Sequence, residues 1–189
     1  MAYQKRDKIE LSVIPITEEF QNLDKVDSLA KEAFPPIEYP GLQKVMEMSK
    51  LYNADFLSIY DKADFVGFIT VLKYKNLAYL YFLAVQKELR SKGYGSAILN
   101  MLKDIYPGYT QVVDLEKQDK LADNAEQRKK RLSFYMRNGY KRTGFFAKYC
   151  GMDLEILCAS EHLDPELVKG ALENAGLDDF YPEYYYQQI

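Results

Sequence analysis

Residues 8–17 (Lys-Ile-Glu-Leu-Ser-Val-Ile-Pro-Ile-Thr) alternate apolar and polar side chains, the period of a strand with one buried face. Thr17, Glu18 and Glu19 then open a helical pattern, with Leu23, Val26, Leu29, Ala30, Ala33 and Phe34 on one stripe. Pro35-Pro36 stops it, and the stiff loop to Gly41 carries Glu38 and Tyr39. A second helix is predicted over residues 42–52, followed by an antiparallel pair, 55–60 and 65–74, across the turn Asp61-Lys62-Ala63-Asp64. The run 78–85 is unbroken, apolar and rich in aromatics, which predicts a strand buried on both faces. A polar, basic loop follows, then Gly93 and Gly95, then helical spacing at Ile98, Leu99, Met101 and Leu102. Residues 110–115 predict a further buried strand. A polar connection over 116–124 leads into a basic helix over 125–138, which Gly139 stops. Strands over 141–150 and 152–157, a short helix over 164–174 and an aromatic tail from Phe180 to Tyr186 complete the chain.

The order β-α-α-β-β-β-α-β-α-β-β predicts an α/β (α+β) fold, a mixed and partly antiparallel central sheet flanked by helices on both faces. One domain is expected across residues 1–189, its core at 8–158 and its helix and tail at 159–189. The tail's aromatics cannot comfortably stay solvated, so they either pack on their own domain or form a homodimer or substrate surface.

Composition narrows the function classes. A net charge of −3 argues against a dedicated nucleic-acid binder. The amino terminus lacks the apolar stretch of a signal peptide, and the longest apolar run, 77–85, is too short to span a membrane, so no membrane association and a cytoplasmic location are expected. Cys150, Cys158 and His162 are too few and too scattered for a clustered zinc site, and the Glu-His-Leu-Asp-Pro context puts His162 at the surface; no metal is expected.

The order strand, glycine loop, helix has a chemical use. The first N–H groups of a helix lack internal partners and carry the positive end of its dipole, and glycines let the main chain approach a bound oxyanion. Arg90 and Lys92 add positive charge, although a plain turn into a helix fits the same residues. Gly95-Ser96 lacks the lysine of a P-loop, and Ile98 stands where a dinucleotide fingerprint needs its third glycine.

The run Ala84-Val85-Gln86-Lys87-Glu88-Leu89-Arg90-Ser91-Lys92-Gly93-Tyr94-Gly95-Ser96 resembles the acyl-CoA-binding motif of the GNAT N-acetyltransferase superfamily, whose core is Arg/Gln-x-x-Gly-x-Gly/Ala after a strand ending in Ala-Val. Leu132-Ser133-Phe134-Tyr135-Met136-Arg137-Asn138-Gly139-Tyr140 resembles that family's Leu-Tyr-x-x-x-Gly-Phe element. The resemblance covers residues 8–158 and implies the GNAT fold, acetyl-CoA as co-substrate and a primary amine, on a small molecule or a peptide, as acceptor. It implies that residues Arg90, Ser91, Lys92, Gly93, Tyr94, Gly95 and Ser96 seat a pyrophosphate. Backbone groups of Leu83, Ala84 and Val85, freed by a bulge, would orient the acyl arm and the oxyanion of a tetrahedral intermediate. Tyr135 would protonate the departing thiolate, or it simply belongs to the buried stripe of its helix. Many relatives carry Asn-x-x-Ala before the Leu-Tyr pair. Here Arg128 and Arg131 hold those places, so Asn124 or Arg128 would take over the asparagine's contact. A base must also remove the amine's proton, and Glu116 and Glu38 are the two candidates. The competing reading is a catalytically silent CoA-binding sensor or interaction module on the same fold.

Overall fold

A computed structural model describes residues 8–149, 151–177 and 181–189. Its strands are β1 (Leu11–Pro15), β2 (Ala54–Asp61), β3 (Asp64–Tyr74), β4 (Leu77–Val85), β5 (Thr110–Glu116), β6 (Lys141–Tyr149), β7 (Met152–Cys158) and β8 (Glu183–Tyr186). Its helices are α1 (Leu23–Ala33), α2 (Leu42–Leu51), α3 (Tyr94–Ile105), α4 (Ala125–Arg137) and α5 (Pro165–Glu173). All eight strands join one sheet in the order β1-β2-β3-β4-β5-β7-β6-β8, and β4·β5 is its parallel pair. No helix among the described residues is long and apolar enough to cross a membrane.

The two faces of the sheet follow from strand alternation. Ala78 and Leu80 of β4 and Val113 and Leu115 of β5 pack with Ile98, Leu99 and Leu102 of α3 and Tyr135 of α4. Leu77 and Tyr79 face the other way, onto Met48 of α2 and Val168, Ala171 and Leu172 of α5. Farther along that second face, Phe82 and Ala84 meet Val26, Leu29 and Ala30 of α1. Burying such side chains contributes roughly 1.5–3 kcal/mol each, which is why β4, apolar on both faces, sits mid-sheet.

Two irregularities in β4 shape the centre of the molecule. Thr70 of β3 pairs with Phe82 and the next residue, Val71, with Leu80, so Tyr81 is an extra residue bulged out of β4. The parallel pairing of β4 with β5 covers only Leu77–Leu80 against Thr110–Val113. Beyond Leu80 and Val113 the two strands part.

Three elements differ from the sequence expectation. Helix α1 starts at Leu23, not at Thr17, because the Thr17 hydroxyl donates to the Glu19 carboxylate (2.7 Å) and Phe20 N–H bonds the Thr17 carbonyl (3.1 Å), which closes a separate turn. Strand β1 ends at Pro15, short of Thr17, although Ile16 N–H still reaches the Phe56 carbonyl (2.8 Å). The tail forms a strand, β8, antiparallel to β6, with Tyr184 stacked on Phe145 and Tyr185 on Phe146. Cys150 and Phe180 lie outside the described residues.

Candidate active site

A cleft of about 540 Å³ opens where β4 and β5 separate, and it reaches both faces of the sheet. Leu83, Ala84, Val85, Arg90, Glu38, Glu116 and Tyr135 all line it. Ser91, Lys92, Gly93, Tyr94, Gly95, Ser96, Asn124 and Arg128 stand outside its lining.

Glu38 enters from the α1–α2 loop. Pro35 and Pro36 stiffen that loop, Glu38 N–H donates to the Pro35 carbonyl (2.9 Å), and the buried Tyr39 anchors it through a hydroxyl 3.3 Å from Asp27. Burial, first, and then the negative charges of Asp114 and Glu116 push the Glu38 carboxyl up to about 7, against a smaller opposing pull from Arg131. Such a carboxyl exchanges a proton near neutral pH.

Tyr135 comes from α4, on the opposite face. It is buried, its ring edge-on to Phe134 and Tyr140 with centroids at 5.0 and 5.5 Å, and burial holds its phenol protonated well above the ordinary tyrosine range. A neutral phenol in a dry site is a proton donor.

Glu116, at the end of β5, is already committed. Its carboxylate accepts from Asn124 Nδ2 (2.9 Å) and from Arg131, and pairs with Arg128 (3.3 Å). Arg128 in turn donates to Asn124 Oδ1 (2.7 Å) and to the Lys117 carbonyl (2.8 Å). Asn124 and Arg128 therefore fasten the start of α4 to the end of β5.

The glycine loop begins where the cleft wall ends. Arg90 donates from Nε to the Val85 carbonyl (2.9 Å) and from Nη2 to Glu32 of α1 (2.8 Å). Ser91 and Gly93 adopt positive φ (61° and 99°), Gly93 immediately precedes α3, and no side chain caps that helix. The leading amides of α3 are thus left for water or an anion. Gly95 answers a different need: a Cβ there would lie 2.9 Å from Cζ of Phe134, so its absence lets α3 and α4 close up. Tyr94 turns away, its hydroxyl donating to Asp61 (2.8 Å).

Residues 53–142, from the approach to β2 through the first residues of β6, match the family model described as an acetyltransferase (GNAT) domain. This stretch is similar to GNAT acetyltransferase domains. It contains the strand parting, the glycine loop and α4, whereas Glu38 lies on the N-terminal side of the match. The fold is shared with a GNAT-family acetyltransferase of Bacteroides thetaiotaomicron (24% identity, TM-score 0.67, covering 82% of this chain and 89% of that one). It is shared also with an aminoglycoside 6'-N-acetyltransferase complexed with coenzyme A (19%, TM-score 0.61, 81% and 99%). The ribosomal-protein-S18-alanine N-acetyltransferase of Escherichia coli is a third such structure (16%, TM-score 0.56, 82% and 99%). No curated protein sequence matches the chain.

The cleft also contains Asp114 and Tyr149, two residues that sequence reasoning passed over. Asp114 is the first β5 residue past the β4·β5 pairing, and it accepts from the Tyr149 hydroxyl at 2.6 Å. Burial raises its pKa and the Tyr149 hydrogen bond opposes that rise. The available signal was a lone acid in the otherwise uncharged strand Thr-Gln-Val-Val-Asp-Leu.

Proposed function

We propose that the chain is an acetyl-CoA-dependent N-acetyltransferase that joins an acetyl group to a primary amine by direct attack. The observation carrying this reading is the convergence of Glu38 and Tyr135, a carboxyl near neutrality and a neutral phenol, on one cleft from opposite faces of a parted sheet.

Each protein group has a task in this reading. The uncapped start of α3 with Arg90 to Ser96 receives the diphosphate, and the β4 edge over Leu83, Ala84 and Val85, which β5 leaves unpaired, supplies main-chain partners for the pantetheine arm. The co-substrate would supply the activated acyl thioester. Glu38 removes the proton from the incoming ammonium, and Tyr135 donates its own to the leaving sulfur. Glu116 holds α4 in place, since its oxygens already accept from Asn124 and Arg131 and pair with Arg128.

The test is calorimetry with acetyl-CoA, followed by an amine panel scored by free-thiol release. Binding at micromolar concentration with amine-dependent thiol release is expected; intact protein that does not bind acetyl-CoA refutes the reading.

A further inference from the structure

Asp114 stands at the vertex of the parting, on the face opposite Tyr135: Val113 and Leu115 on either side of it pack with α3 and α4, so alternation turns Asp114 toward α2 and α5. Tyr149 and Tyr79 act directly on its carboxylate there, and Tyr81 adjoins Tyr79. Tyr149 donates to it at 2.6 Å. Tyr79 is wholly buried, and burial, then the charge and the hydrogen-bonding pull of Asp114, hold its phenol protonated, although its hydroxyl closes no hydrogen bond of good geometry among the described residues. Tyr81, the bulged residue, lines the cleft and sets its ring edge-on to Tyr79 at 6.2 Å. No lysine or arginine among the described residues lies within ion-pair distance of Asp114. A carboxylate lining a cleft, beside tyrosines and with no ion-pair partner among the described residues, is suited to holding an organic cation.

The geometry points to a seat for a second, non-reacting cationic group of the acceptor at Asp114, with Tyr81 and Tyr149 beside it in the cleft lining, so that the substrate class is a diamine or polycationic amine. This rests on the acetyltransferase reading and adds to it the identity of the acceptor. The two carboxylates of the cleft suit different work. An ammonium in an ion pair keeps its proton, which suits a group that is to be held rather than used as nucleophile. Glu38, whose carboxyl already sits near neutrality, suits the amine that must lose its proton. Two carboxylates without an ion-pair partner among the described residues also disfavour acceptors with a carboxylate next to the amine, such as free amino acids.

The experiment compares α,ω-diaminoalkanes, propane to octane, with the monoamines of matching length, scored as kcat/KM by thiol release in wild type and Asp114→Asn. The best diamine is expected to exceed its monoamine by about tenfold or more, the equivalent of one charge-assisted contact. In Asp114→Asn that ratio collapses toward one, chiefly through KM. A ratio near one in wild type, or a ratio unchanged by Asp114→Asn, overturns the seat and leaves the acetyltransferase reading standing. Absence of thiol release with every amine overturns both. If Asp114→Asn fails to fold, the wild-type ratio together with stabilisation of wild type against heat by diamine over monoamine decides the matter.

Discussion

Glu38→Gln is expected to remove activity and add stability at the same time. The Glu38 carboxyl titrates near 7 in the folded chain against an ordinary 4.5, so the native state binds more protons than the unfolded one between those values. Stability therefore falls as pH rises through that window, and above it the native state carries the whole cost of an ionised Glu38. At 1.36 kcal/mol per pKa unit the shift converts to roughly 3 kcal/mol. Solvent screening of a part-exposed group reduces this to about 1–2 kcal/mol. Glutamine has no charge to desolvate, so urea unfolding should show the variant more stable than wild type by about 1–2 kcal/mol at pH 8, with the difference vanishing near pH 4.5. Activity moves the other way. Loss of a general base lowers kcat/KM by roughly 10²–10⁴. In wild type kcat/KM should fall about tenfold per pH unit below 7, and this acid limb should be gone in the variant. A variant less stable than wild type at pH 8, or one that keeps the acid limb, would falsify the assignment of Glu38.

Three further outcomes follow. Tyr135→Phe should lower kcat by about 10² or more with acetyl-CoA affinity within a factor of about two, measured by thiol release and calorimetry; unchanged turnover with chemistry rate-limiting strips the phenol of its role. Glu116→Gln should destabilise the fold by about 1–3 kcal/mol through loss of its arginine pairs, while the acid limb of the pH profile stays where it was; a limb displaced or abolished would make Glu116 the base instead. Gly95→Ala should cost about 1 kcal/mol in thermal unfolding and weaken acetyl-CoA binding, and Phe134→Leu in the same chain should recover part of both, since the clash is with that ring alone.

Much of the fold is legible in residue order because its elements keep their periods. The run 78–85 reads as a central strand since apolar side chains occupy both faces, and the glycine loop reads as a helix entry since Gly93 precedes the apolar spacing of Ile98, Leu99 and Leu102. Local patterns fail where a side chain finds an unexpected partner. Thr17 has the composition of a helix cap, but its hydroxyl donates to Glu19 instead of accepting from a helix amide. Strand β8 has no period to read, because Glu-Tyr-Tyr-Tyr is aromatic on both faces and its partner β6 lies far back in the chain. Within the cleft, Glu38 and Glu116 look alike as letters. They differ by their neighbours: Arg128 and Arg131 pair with Glu116 from successive turns of one helix, whereas Glu38 is part-buried within the field of Asp114 and Glu116.

The last strand binds the free margin of the sheet like a hem. Its backbone covers the outer ladder of β6, and Tyr184 and Tyr185 lie flat over Phe145 and Phe146, which are 2% and 1% exposed. Clipping the chain ahead of Glu183 would lay bare a row of main-chain donors and acceptors beside two large rings, the pattern on which strands of separate molecules zip together. Strand β8 thus takes over from β6 as the edge of the sheet and shields its two rings, and a bulky fusion joined tightly after Tyr186 would work against that cover.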